Sequence, residues 1–301
     1  MQPYKRILVV NPFGIGDVIF TLYLVQTLRT AYPDATIDFL CNERTERLVR
    51  LNPVVAQRFV FNRDLFRRLW RRNPFLMFRK LGALLGEIRA RRHDVMFDLS
   101  LGREYSLFGA LIGIRQRIGF DFKGRGTFLT KKVKLSGYAS RNVAEIQRDL
   151  VEASGVETGP TAYARVLWVP EEVKVRAAAH LRGRGVSERD EILAVAPGGG
   201  RSWGPNAAYK QWNAERFAET ANLAARQRHW KVVLLGDRTE EELLQRTAAG
   251  IEAPTVILTG EPIELVAAVL LRSRALVCND GGLMHLANAV GVKTVSIFWP
   301  C

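Results

Sequence analysis

The chain has 301 residues, 48% of them hydrophobic, and a formal net charge of +14. That length suits two ordinary domains better than one, and the apolar content is ample for packed cores. No apolar run approaches the roughly 18 residues of a spanning helix, and the N-terminus lacks the apolar stretch of a signal peptide, so a soluble, cytosolic chain is expected.

The charge implies an anionic partner: a nucleotide, a nucleic acid or an acidic membrane surface. Cys41, Cys278 and Cys301 are few and scattered, which excludes a disulfide framework and a zinc site and predicts buried thiols.

In chain order, RILVVN at 6–11 reads as a strand, PFGIGD as a glycine turn, and 18–28 as an apolar helix. Asp17 falls on the first helical turn. There it favours the helix dipole by roughly 0.3–1 kcal/mol, or serves as a carboxylate at the end of a first strand, where open α/β sheets bind ligands. A dinucleotide fingerprint fits poorly, because Ile19 stands where the third glycine belongs. Strands are predicted at 36–41, 57–62 and 95–99, with a helix reaching Arg50.

Residues 63–92 are the most basic stretch. Arg63, Arg67, Arg68 and Arg71 interleave with Leu65, Phe66, Leu69 and Trp70. The pattern suits a solvated helix face, an acceptor site or a surface touching anionic lipid. Nucleic acid would use the same charges, but no binding motif supports it.

Further on, 101–113 reads as loop and helix, 123–134 adds basic charge, and 141–154 is an amphipathic helix. Composition shifts to Gly, Pro and Thr at 155–172, read as an interdomain linker between domains at 1–165 and 170–301. The second half alternates strands (192–196, 230–235, 255–258) with helices (171–182, 214–226, 240–249, 263–271). It closes on LVCNDGGLMHLANAVGVKTVSIF, residues 276–298, a strand–turn–helix–strand unit. Asn279, Asp280, Gly281 and Gly282 form its turn, Leu283 opens the helix, and His285 lies on the first helical turn. Unpaired amides at such a helix start suit a pyrophosphate. Pro197-Gly198-Gly199-Gly200 also follows a strand directly and offers amides to a phosphate.

The NDGGLMH and LANAVG stretch resembles the signature of the ADP-heptose:lipopolysaccharide heptosyltransferases, glycosyltransferase family 9. FGIGDVIFTLYL resembles the family's opening motif, and Arg117, Gly119, Phe120 and Asp121 its RIGFD element.

The resemblance implies two Rossmann-like α/β domains facing across a cleft, the GT-B type, with the N-terminal domain binding acceptor and the C-terminal domain donor. It implies an inverting transferase with Asp17 as general base. Donor contacts would come from Gly198, Gly199, Lys210, Glu240, Asp280, Gly281, Gly282, Leu283 and His285. Lys210 would pair the diphosphate and Glu240 the ribose. Arg63, Arg67, Arg68, Arg71 and Arg117 would meet an acidic glycolipid acceptor at the cytoplasmic face of the inner membrane.

The sequence offers no DxD motif or ligand-spaced carboxylate cluster, so metal independence is expected, with an ADP-sugar as substrate rather than a resident cofactor. Three departures stand out. Gly281 replaces a hydroxyl residue, Trp299 replaces a glycine, and the chain stops at Cys301 where relatives continue, so an incomplete C-terminal domain is expected. The competing readings are a truncated paralogue that only binds nucleotide or anionic glycolipid, a nicotinamide oxidoreductase, and a basic nucleic-acid binder.

Overall fold

Short runs such as RILVV and ILAVA are apolar at every position after the first residue or throughout, the pattern of parallel strands covered by helices on both faces. The computed structural model, which describes residues 4–138, 141–159, 165–199 and 211–298, has this arrangement twice. The chain divides into two compact units, Met1–Tyr163 and Ala164–Cys301.

The first unit runs β1 (Arg6–Val10), α1 (Ile15–Ala31), β2 (Thr36–Cys41), α2 (Glu46–Val49), β3 (Val55–Val60), α3 (Arg63–Arg72) and α4 (Pro74–Ala90). It continues with β4 (Val95–Asp98), α5 (Glu104–Leu111), β5 (Gln116–Phe122), β6 (Lys131–Leu135) and α6 (Val143–Glu152). Its sheet has the order β3-β2-β1-β4-β5-β6, and every pairing is parallel. Leu8, Val10, Leu40, Phe59, Ile88 and Met96 form a buried cluster on one face. The strand order reverses between β1 and β4, so the loops leaving those two strands diverge and open a crevice at their carboxyl ends.

The second unit runs α7 (Glu171–Arg182), β7 (Ile192–Ala196), α8 (Ala214–Arg228) and β8 (Lys231–Gly236). A 3₁₀ turn (Arg238–Glu240) leads into α9 (Glu241–Ala249), β9 (Thr255–Thr259), α10 (Ile263–Arg272), β10 (Ala275–Asn279), α11 (Gly282–Val290) and β11 (Thr294–Ile297). The parallel sheet has the order β11-β10-β7-β8-β9, so its reversal falls between β7 and β10. Leu193, Val195, Phe217, Val232 and Leu234 fill the core on one face.

Four features differ from the sequence reading. The basic stretch is two helices, because Asn73 ends α3 and caps α4 while Pro74 occupies the first helical position. β3 begins two residues earlier than expected. β5 and β6 lie where no strand was predicted; β6 is an edge strand, KKVKL, whose lysines mask its apolar signal. Residues 165–170, assigned to a linker, pack into the second unit: Val166, Leu167 and Val169 are buried, and the amides of Val166 and Leu167 both donate to the Ala289 carbonyl. Cys41 and Cys278 are buried free thiols, and burial pushes them up to about 12 and about 11. Among the described residues no helix is long and apolar enough to cross a membrane.

An ion pair on a buried carboxylate braces the first sheet. Arg91 donates to both carboxylate oxygens of Asp38, at 2.8 and 3.0 Å, and His93 Nε2 lies 2.9 Å from Oδ2. Burial alone would raise the Asp38 carboxyl, but the hydrogen bonds from His93 and Arg91 outweigh it and hold it below the usual carboxylate range. A depressed carboxylate adds stability that is complete above its unfolded value and vanishes as pH falls through the folded one. Asp38→Asn is therefore expected to destabilise the protein by about 1.5–3 kcal/mol at neutral pH. Urea melts should show the gap from the parent closing as pH drops below the usual aspartate range; a gap independent of pH would contradict this.

Candidate functional site

In the second unit the loops after β7 and β10 meet at the sheet's reversal. Asn279, the last residue of β10, is buried and holds them together. Its Nδ2 donates to the Pro197 carbonyl at 2.7 Å and the Gly198 carbonyl at 3.4 Å, while its Oδ1 accepts from the Trp212 amide at 3.0 Å. The Asp280 amide donates to Ile297 at 3.2 Å, which ties the turn to β11.

Helix α11 starts at Gly282 behind Gly281, and no side chain caps it. Its first amides therefore carry the positive end of the helix dipole with no capping side chain to absorb it. Gly281 is fully extended (φ 178°, ψ −175°), a backbone any residue adopts, so the turn does not need its conformational freedom.

A pocket lies at this junction, lined by Gly198, Gly199, Glu240, Gly281, Gly282 and Leu283. Glu240 completes a capping box: its Oε2 accepts from the Asp237 amide at 2.9 Å, and Asp237 accepts from Thr239 at 2.7 Å. Glu240 is thus a helix-start acid that also walls the pocket. Gly198 packs closely on this side chain: a Cβ there would stand 2.1 Å from Glu240 Oε1, so the carboxylate would have to leave its place in the capping box. Asp280 and His285 are half-buried beside the turn. Lys210 lies outside the described residues.

In the first unit the corresponding place is the carboxyl end of β1. Buried Asn11 donates to Thr21 at 2.7 Å and to the Asp17 carbonyl at 3.2 Å, and accepts from the Phe13 amide at 2.9 Å. Asn42, following β2, donates to the Pro12 carbonyl at 2.8 Å. These bonds fix the turn from which Asp17 projects, exposed, on the first turn of α1. Tyr138 comes near enough that the Asp17 carboxylate adds to burial in raising its phenol.

Asp98 ends β4 opposite Val10. Complete burial pushes it up to about 6, and its Oδ2 has no hydrogen-bond partner among the described residues. Sequence reasoning missed Asn11, Asn279, Asp98 and Tyr138 as parts of a site. An Asn or Asp directly after a buried strand was the available signal.

Four of the five predicted acceptor arginines lie on one helix, and Arg117 does not. Arg63 opens α3 near Tyr105, on which its charge acts, and both follow strand ends at the ligand-binding edge. Arg67, Arg68 and Arg71 continue along the exposed face of the same helix. Arg117 needs correcting. It lies near the amino end of β5, the opposite edge of the sheet, and its guanidinium donates to the carbonyls of Phe128, at 2.7 Å, and Ile114. It braces a loop and is not brought to the others. Among the described residues no three His, Cys, Asp or Glu side chains form a metal-ligand group.

Two Rossmann-like parallel sheets in one chain, the second with glycine loops at a bare helix start, define the GT-B fold of glycosyltransferases. The family model for glycosyltransferase family 9 (heptosyltransferase) matches residues 81–301, and the chain belongs to that family. Lipopolysaccharide heptosyltransferase 2 of Escherichia coli K12 is 25% identical, over 98% of this chain and 83% of that protein. Lipopolysaccharide heptosyltransferase 1 of Pseudomonas aeruginosa is 28% identical over 98% and 79%. Among solved structures, a family 9 glycosyltransferase from Veillonella parvula superposes with a TM-score of 0.82 at 25% identity, over 98% of this chain and 80% of that one. E. coli ADP-heptose lipopolysaccharide heptosyltransferase II superposes at 0.78 over 98% and 85%, with 22% identity, a likeness of fold.

The contact between Gly198 and Glu240 yields a coupled prediction. Gly198→Ala alone should destabilise the protein by about 1–3 kcal/mol through overpacking. In the Glu240→Ala background the same change should cost well under half of that, because the clashing carboxylate is gone. Denaturant unfolding of the four proteins measures this; simple additivity would contradict the packing assigned here.

Proposed function

We propose that this glycosyltransferase moves a heptose or similar sugar from an ADP-sugar to an acidic lipopolysaccharide-core-type acceptor, in one inverting displacement without a metal. The donor class follows the relatives, which are named lipopolysaccharide heptosyltransferases, one solved relative being titled an ADP-heptose enzyme. The observation that carries the mechanism is the exposed Asp17 side chain at the binding edge of the first sheet, on a turn whose Asp17 backbone carbonyl accepts from Asn11. In the second unit, the amides opening α11 and the Gly198–Gly199 loop supply what a diphosphate needs.

In this reading Asp17 takes the proton from the acceptor hydroxyl as its oxygen attacks the anomeric carbon. The bond from that carbon to the diphosphate breaks on the opposite side. Negative charge grows on the departing diphosphate, where the α11 dipole and Lys210 stabilise it. Glu240 meets the ribose from its place in the capping box. Arg63, at the ligand-binding edge, is the arginine best placed for acidic groups on the acceptor, and the protein works at the cytoplasmic face of the inner membrane.

Asp17→Asn tests the assignment. It is expected to lower kcat about 10²–10⁴-fold while the Kd for ADP, read by calorimetry, stays the same. Undiminished transfer by the variant would remove Asp17 from the chemistry.

A further inference from the structure

The charge of this protein is uneven. Residues 1–163 carry 27 Lys and Arg against 15 Asp and Glu, a net of +12, whereas residues 164–301 carry 17 against 15, a net of +2. The excess is densest on the hairpin formed by α3 and α4. Arg67, Arg68, Arg71, Arg72, Arg79 and Lys80 are all exposed there, and the one acid among residues 63–80 is Asp64, which pairs with Arg44 at 3.7 Å.

The same hairpin exposes large aromatic side chains. Phe75, immediately after the Asn73-Pro74 turn, is 79% exposed; Trp70 is 59% and Phe78 58% exposed. Trp70 and Phe78 pack edge to face, with centroids 6.0 Å apart, so they form one cluster close to the tip. The inner face of α3 is already satisfied, since Phe66 stacks on Phe61 at 4.6 Å. The outward aromatics are therefore not required to hold the helix in place.

Asn62 caps α3 and Asn73 caps α4, accepting from Leu65 and Leu76 at 2.8 and 3.0 Å. Both helices are thereby ordered without a partner on the outer face.

We infer that the α3–α4 hairpin is a docking element for an anionic bilayer surface, with Phe75, Trp70 and Phe78 entering the interface and the arginines meeting lipid phosphates. Aromatic rings beside cations suit the boundary between headgroups and acyl chains, where each finds its own medium. A solvated cationic face alone would explain the arginines but not three bare aromatics among them. An acceptor sugar subsite would explain the arginines but not Phe75, exposed at the tip. The inference extends the proposed membrane setting by naming the surface, and its test needs neither donor nor acceptor, so the two stand or fall separately.

The experiment is co-sedimentation of the full chain with vesicles of phosphatidylcholine alone and of phosphatidylcholine mixed with phosphatidylglycerol. The protein is expected to bind the mixed vesicles and not the neutral ones. Binding should weaken about fivefold for each of Arg67 and Arg71 changed to Ser, and at least comparably for Trp70→Ser with Phe75→Ser. Thermal unfolding should show those variants folded as the parent is, their positions being exposed. Failure of the parent to bind, or parent-like binding by the aromatic double variant, would overturn the proposal. So would full displacement from vesicles by a soluble inner-core oligosaccharide, which would make the hairpin an acceptor subsite.

Discussion

Everything at the candidate site depends on a buried amide at the end of a parallel strand. Asn279 spends both donor hydrogens and its carbonyl on backbone groups of two other segments. A buried amide left unpaired costs about 1–3 kcal/mol, so the strand end, the glycine loop after β7 and the approach to α8 hold one geometry together. That geometry leaves the start of α11 open and the Gly198 backbone tight against Glu240. Asn11 does the same for the first unit, where its amide fixes the turn that carries Asp17. The proposed phosphate cradle and the proposed base thus rest on one device, used at the reversal of each sheet.

Charge is arranged by a different logic. The second unit is nearly balanced, and its attraction for an anion comes from oriented amides, which act over a short range and do not depend on net charge. The first unit carries almost all the excess cations, densest on the exposed α3–α4 hairpin, where salt screens them beyond about 10 Å. The local dipoles suit a small ligand held at fixed distance, and the broad cationic face suits a large anionic surface. Arg117 belongs to neither, since its guanidinium is turned onto the carbonyls of Phe128 and Ile114.

The strands of both cores were legible because apolar runs bounded by turn residues have few other solutions. Asp17 and the NDGG turn were legible as motif positions, and both fall at the binding edges of their sheets. β6 was hidden because an edge strand needs only one apolar face, and lysines occupy the other positions. β5 was hidden inside a motif read for its Arg and Asp rather than for its alternation. The asparagines were visible as letters but not as clamps, since Asn279 finds its partners 82 and 67 residues away. Arg117 misled for the same reason: its identity fits an anion site, and only the strand register reveals which end of the sheet it occupies.

The most direct test of the account is a crystal structure of this chain with ADP. The diphosphate is predicted to lie within hydrogen-bond distance of the amides of Gly282 and Leu283, with Asn279 still bonded to Pro197 and Trp212. Clear density for the diphosphate away from the start of α11, with that helix end facing only solvent, would contradict it.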